Sequence, residues 1–196
     1  MRNSGMSPDW ALDLLIEGNE RFVANKSTHP HQTIERRVEM TQGQHPFAVV
    51  LACSDSRVSP EIVFDRGLGD IFVVRTAGNL VDDIALGSIE YATEHLGASL
   101  IMVMGHSKCG AVTAAVQSDD APGHVGNIIK AIKLAVEKAK GQQGNQLDNS
   151  IRANIQIITD LIATCEPILC ELVKEGHVKV VGAHYDIDTN GVTVYR

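Results

Sequence analysis

The chain has 196 residues, 44% of them hydrophobic and 21% charged, with a formal net charge of −7. That length and composition predict one globular domain over 1–196 with a single sizeable core, divided into an N-terminal helical arm (1–45) and a core (46–196). The charge is spread without a basic cluster, which argues against nucleic-acid binding, and no apolar run is long enough to cross a bilayer, so no membrane partner is expected.

Ser7-Pro8 reads as a helix start, with serine at the cap and proline at the first helical position. Ala11, Leu14, Leu15 and Phe22 then recur at helical spacing and predict one apolar stripe that docks on another surface, of this chain or of another subunit. Residues 25–45 read as a connection with a short helix at Ile34–Met40. The continuous apolar run Phe47–Ala52 predicts a strand buried on both faces, as in a parallel sheet. Ser59-Pro60-Glu61 opens a short helix. Ile71–Val74 and Leu100–Met104 predict two more buried strands. Between them, Asp82–His95 has helical periodicity, and Gly97 is placed to close it. Helical patterns follow at 109–117, 125–140, 151–164 and 167–175, with 141–149 read as an exposed loop. Val178–Gly182 predicts a fourth strand, and Asp188-Thr-Asn-Gly191 a turn into Val192–Tyr195. Strands alternating with helices predict an α/β fold: a mainly parallel central sheet of four strands plus an antiparallel edge strand, with helices on both faces.

Two segments carry candidate chemistry. Cys53-Ser-Asp55-Ser-Arg57 follows the first predicted strand, and His106-Ser-Lys-Cys109-Gly110 follows the third. Sites in open α/β sheets form at the carboxyl ends of strands, so both segments can meet in one crevice. Two thiolates and an imidazole suit Zn²⁺, and three protein ligands leave a fourth position open, the mark of a catalytic site. Asp55 can reach that position unless Arg57, two residues on, holds it by a two-pronged hydrogen bond. Simple burial and thiol redox chemistry are the competing readings of the cysteines. The first ten residues lack the apolar stretch of a secretory signal, so a cytoplasmic location and reduced thiols are expected.

The paired segments resemble the signature of the β-carbonic anhydrases. The similarity continues through Pro60, Arg75, Ala77-Gly-Asn79, Gly87–Tyr91 and Val181–Asp186. The resemblance implies zinc-dependent, reversible hydration of carbon dioxide to bicarbonate by attack of a zinc-bound hydroxide. It makes Cys53, His106 and Cys109 the ligands of one zinc per chain, and Asp55 with Arg57 the orienting dyad. Asp55 becomes a fourth ligand only in a closed state. Gln44, Phe72, Ala77, Tyr91 and Gly110 map to the substrate cleft, where Ala77 replaces a larger aliphatic residue common in the family. His95, four residues after Tyr91, maps to a proton relay. The cleft implies a homo-oligomer, a dimer or a tetramer, in which one subunit walls the site of another. Hydrolysis of carbonyl sulfide or carbon disulfide on the same scaffold, and a non-catalytic zinc or thiol redox protein, are the alternatives. Some bacterial relatives bind bicarbonate in a second, inhibitory pocket built on a tryptophan three residues before the first cysteine. Val50 stands there, beside Arg75 and Tyr185, which predicts that this chain lacks the switch.

Overall fold

A computed structural model describes residues 6–195. Helix α1 (Pro8–Val23) begins where Ser7 Oγ accepts from the Trp10 N–H at 3.2 Å. Then come α2 (Ile34–Glu39), β1 (Ala48–Cys53), α3 (Pro60–Val63), β2 (Ile71–Thr76) and α4 (Asp83–Glu90). Asp82 caps α4 by accepting from the Ala85 N–H at 2.8 Å. The helix continues as one π turn over Tyr91–His95, and Gly97, at φ 80°, turns the chain into β3 (Leu100–His106). The remaining elements are α5 (Gly110–Gln117), α6 (Val125–Ala139), α7 (Gln146–Ala163), α8 (Ile168–Lys174), β4 (Lys179–Tyr185) and β5 (Val192–Tyr195).

The five strands run in the order β2-β1-β3-β4-β5, parallel except for β5, as the strand pattern predicts. Alternate residues of β1 and β3 face two separate apolar layers. Val49, Leu51, Ile101 and Val103 pack under α4 to α8, with Ile129, Ile132, Ile155 and Ile158 among their partners. Ala48, Val50, Leu100 and Met102 pack on the other face against Ala11, Leu12, Leu15 and Phe64, which lie on or beside α1 and α3. Helix α7 lies close on the sheet because β3 and β4 carry glycine beneath it. A Cβ on Gly105 would come within 2.6 Å of the Ile155 side chain, and one on Gly182 within 2.8 Å.

Two expectations need correction. The loop read over 141–149 is shorter, since Asn145 accepts from the Leu147 and Asp148 N–H groups and starts α7 at Gln146. β2 is not buried on both faces: it is the sheet's edge and is half-exposed throughout. Its apolar run concealed this because periodicity does not report strand order. The stripe on α1 seats on its own sheet through Ala11, Leu12 and Leu15, with Phe22 packed beside them. Arg75 is committed to the backbone, its guanidinium donating to the carbonyls of Cys53 (3.1 Å) and Asp55 (2.7 Å).

Candidate metal centre

β1 and β3 are neighbours, and both continue to the candidate ligands: Cys53 is the last residue of β1 and His106 the last of β3. Cys109 is the cap residue of α5, one short loop beyond His106. The Cys53 Sγ, a His106 ring nitrogen and the Cys109 Sγ all lie within 4.8 Å of one another, and all three residues are buried. Among the described residues no other group of three cysteine, histidine or acidic side chains converges this way.

His106 Nδ1 lies 2.9 Å from the Ser107 carbonyl. A carbonyl only accepts, so Nδ1 carries the proton and Nε2 presents its lone pair. That Nε2 is buried and has no hydrogen-bond partner. A buried nitrogen without a partner costs stability unless something fills the role, and a cation between two sulfurs does so. The thiols are tuned to match. Cys53 is drawn well below the ordinary thiol range, chiefly by a hydrogen bond from the Cys109 thiol, with burial opposing and the Gly78 N–H assisting. Cys109 is pushed up, since its proton bridges to Cys53 and it is buried, while the Ala111 and Val112 N–H groups at the start of α5 favour its thiolate. Charge on one sulfur thus holds the proton on the other, and a dication held by both would displace that proton to solvent. The residues therefore fit zinc.

The dyad forms as the spacing predicts. Arg57 Nε donates to Asp55 Oδ1 at 2.9 Å, Nη2 to Oδ2 at 2.7 Å, and the Arg57 N–H adds a third bond at 3.0 Å. The guanidinium hydrogen bond holds the Asp55 carboxyl well below the usual range, against its partial burial. Asp55 Oδ2 nevertheless sits only 4.0 Å from His106 Nε2, beside the ligands. Arg57 Nη2 also reaches the Lys108 carbonyl at 3.3 Å, tying the dyad to the loop between His106 and Cys109.

The other site residues divide into two groups. Ala77 directly precedes Gly78, whose N–H donates to Cys53 Sγ at 3.3 Å, and Gly110 directly follows Cys109; both adjoin the ligands. Phe72, Tyr91, His95 and Gln44 do not reach this chain's own centre. Phe72 pairs with Val49, four residues before Cys53, roughly 13 Å down the strand. Tyr91 and His95 stack with ring centroids 5.4 Å apart, so they share a face as predicted. That face is at the amino end of the sheet, where His95 lines a cavity with His45, Ser99 and His177. β3 carries the chain from Ser99 to His106, roughly 20 Å. The i, i+4 spacing reported their common face correctly but not which end of the sheet that face serves. Gln44 lies in the exposed segment before β1. Sequence reasoning passed over two supports: Asn154, whose Nδ2 donates to the Gly78 carbonyl at 2.9 Å, and Ser107, whose Oγ accepts from the Ile187 N–H at 2.9 Å. Asn154 sits on the apolar face of a helix pattern, and a polar residue there was the available signal.

Residues 48–192 match the family model described as carbonic anhydrase. The chain belongs to the β-carbonic anhydrase family. It is 38% identical over 194 residues to carbonic anhydrase 2 of Mycobacterium tuberculosis, covering 97% of this chain and 93% of that protein. It is 54% identical over 120 residues to a carbonic anhydrase of Mycolicibacterium smegmatis, covering 61% of this chain and 57% of that one. The solved β-carbonic anhydrase CcaA superposes with a TM-score of 0.76 at 25% identity, covering 94% of this chain and 95% of that one. Membership in this family and the buried Cys-His-Cys set agree on zinc as the cofactor.

Proposed function

We infer that this chain catalyses the zinc-dependent, reversible hydration of carbon dioxide to bicarbonate and a proton. The observation that carries the reading is the Cys53–His106–Cys109 set, with the unpartnered His106 Nε2 and a carboxylate held beside it by arginine. Zinc, when bound, acts as a Lewis acid that makes a hydroxide nucleophile available from water near neutral pH, carbonic anhydrase being the standard case of that effect. The chain supplies the rest. Asp55, kept ionised by Arg57, can only accept, so it orients a hydroxyl through its hydrogen and leaves the oxygen lone pair for the carbon. Arg57 keeps that carboxylate away from the ligand position. Ala77 gives the slot an apolar wall that a linear, uncharged substrate fits. At Gly110 a side chain would meet nothing within 4 Å, so the approach beside Cys109 is open. Stopped-flow hydration on protein of measured zinc content, with carbonyl sulfide as the comparison substrate, tests the reading. Catalysed hydration far above the buffer rate supports it; turnover of carbonyl sulfide alone overturns it.

The functional unit in this reading is a homo-oligomer, at least a dimer, in which Gln44, Phe72, Tyr91 and His95 complete a neighbour's cleft. Their distance from their own metal centre supports this, as do the half-exposed edge strand β2 and the apolar groups in solvent, with Ile84 79% and Tyr91 49% exposed. In such an assembly Gln44 donates a hydrogen bond to a substrate oxygen and His95 passes the released proton to solvent. A monomer by light scattering with full activity contradicts this arrangement. We place the enzyme in the cytoplasm, because a centre built on two thiolates among four free cysteines needs reducing surroundings. The chain acts as one unit over 1–196, since the arm's α1 shares a core with the sheet.

A further inference from the structure

The loop that carries two of the three ligands does not hold its own shape. Lys108, between His106 and Cys109, has a φ of 56°, a conformation that a lysine keeps only when its surroundings impose it. Those surroundings come from the end of β4 and the turn that leads to β5. The Ser107 N–H donates to the Tyr185 carbonyl at 3.0 Å, and the Ser107 Oγ accepts from the Ile187 N–H at 2.9 Å. Lys108 Nζ also meets Asp188 Oδ1 at 2.6 Å, but both groups are more than half in solvent, so this pair contributes little. The Ser107 hydroxyl is thus the side-chain link that matters. What it holds is close to the chemistry. The Ser107 carbonyl fixes the His106 tautomer, and the next carbonyl, that of Lys108, accepts from Arg57 Nη2.

We propose that Ser107 is a positioning residue of the metal centre. It clamps the His106–Cys109 loop to the β4–β5 turn, so that the Lys108 carbonyl stays where Arg57 donates to it and Asp55 stays turned away from the metal. The direction of failure follows from one distance: Asp55 Oδ2 is already 4.0 Å from His106 Nε2, so a loop that slackens and lets Arg57 drift puts the carboxylate on the metal. The inference rests on the metal site and dyad of the proposed function, and extends the site to the C-terminal hairpin.

The test compares parent, Ser107→Ala, Ser107→Thr and Asp188→Ala protein, each loaded with zinc for kinetics and with Co²⁺ for visible spectra. Ser107→Ala should keep about one zinc per chain and lose roughly ten-fold in kcat with little change in KM, within the range for supports of metal ligands. Its Co²⁺ bands should move toward those of Arg57→Ala, in which Asp55 is released. Ser107→Thr, which keeps the hydroxyl, should restore both, and Asp188→Ala should stay within two-fold of the parent. Parental rate with parental Co²⁺ bands in Ser107→Ala overturns the proposal, as does activity that falls only in proportion to lost zinc. Amide hydrogen exchange on the parent decides the matter even where a variant does not fold: the Ile187 N–H should be protected, and exchange at the rate of an open turn overturns the clamp. A parent without CO2 hydration refutes the proposed function, while the Co²⁺ bands and the Ile187 exchange still judge Ser107.

Discussion

Asn154 is on α7, remote in sequence from every ligand, yet its loss should be felt at the metal. Its Nδ2 donates at 2.9 Å to the Gly78 carbonyl, in a contact closed to solvent. Gly78 in turn gives its N–H to Cys53 Sγ at 3.3 Å. Replacing Asn154 with Ala leaves the Gly78 carbonyl buried without its donor, a cost of about 1–3 kcal/mol. For a chain of this size each kcal/mol lowers the melting temperature by about 2–4 °C, so a drop of about 2–12 °C is expected. The turn Ala77–Asn79 should also loosen, and with it the N–H bond to the sulfur. Weakening such a support typically lowers zinc affinity about ten-fold or more. Thermal unfolding of the zinc-loaded protein, with zinc affinity measured against a competing chelator, reads both. A melting temperature within about 1 °C of the parent and unchanged affinity would refute the reasoning. The turn would then be held without Asn154, by the left-handed Gly78 (φ 71°), its packing on Ile132 and Ala111, and the Thr76 hydroxyl bond to the Leu80 carbonyl.

Replacing Cys109 with Ser should abolish zinc binding and activity together, and a variant with full zinc and normal turnover would remove Cys109 from the ligand set. Arg57→Ala deletes two of the three hydrogen bonds that restrain Asp55, so turnover should fall roughly 10- to 100-fold with zinc retained. In an Asp55→Ala background the same change should add nothing, and an additive loss would show that Arg57 acts by another route. Burial would raise the Asp65 carboxyl, but the Thr28 N–H, Arg21 and the His29 N–H outweigh it and hold its pKa well below the ordinary value. The stabilisation is therefore full above the unfolded pKa of about 4 and is lost as the pH falls below it. Asp65→Asn should destabilise the protein by about 2 kcal/mol at neutral pH, with the gap to the parent narrowing toward pH 3 in urea titrations; a gap that widens in acid contradicts the sign. Val50 lies sealed between Val73 and Met102, Arg75 holds backbone carbonyls, and the Tyr185 hydroxyl bonds Asn190, so Arg75 and Tyr185 are already engaged and Val50 brings no donor for bicarbonate. Activity should follow one smooth ionisation, and a steep loss below about pH 8, deepened by added bicarbonate, would show a switch at this position.

The parallel sheet and the ligands were legible because each rests on a local signal. Runs such as Leu100–Met104 are apolar on both faces only in the middle of a layered sheet, and the strand-then-cysteine order put Cys53 and His106 at one end of it. The dyad followed from a spacing of two. What stayed hidden depends on long-range placement. The apolar pattern of Ile71–Val74 is the same at an edge as in the centre, so the exposure of β2 could not be read. The stripe on α1 does not name the surface it meets, and the packing of Ala11 and Leu15 on Val50 and Met102 shows that its own sheet is one such surface. The spacing of Tyr91 and His95 gave a shared helical face but not the run of β3 that separates it from the metal. Ser107 and Asn154 each act through one hydrogen bond across 76 or more residues, for which no local pattern exists.

The hairpin that closes on Ser107 lies far along the chain from the ligands it steadies. Cys53 and His106 both precede strand β4, which lies beside His106, and the turn that steadies the loop comes after β4. Parallel pairings of such separation bear their loop-closure entropy before any contact rewards it, which makes them slow to form. During that interval two thiols and an imidazole are exposed without the geometry that favours a catalytic ion, open to oxidation or to a wrong metal. Correct metallation therefore waits on the pairing of β4 beside His106, and a variant that loosens the β4–β5 turn should reach the sheet but retain zinc poorly.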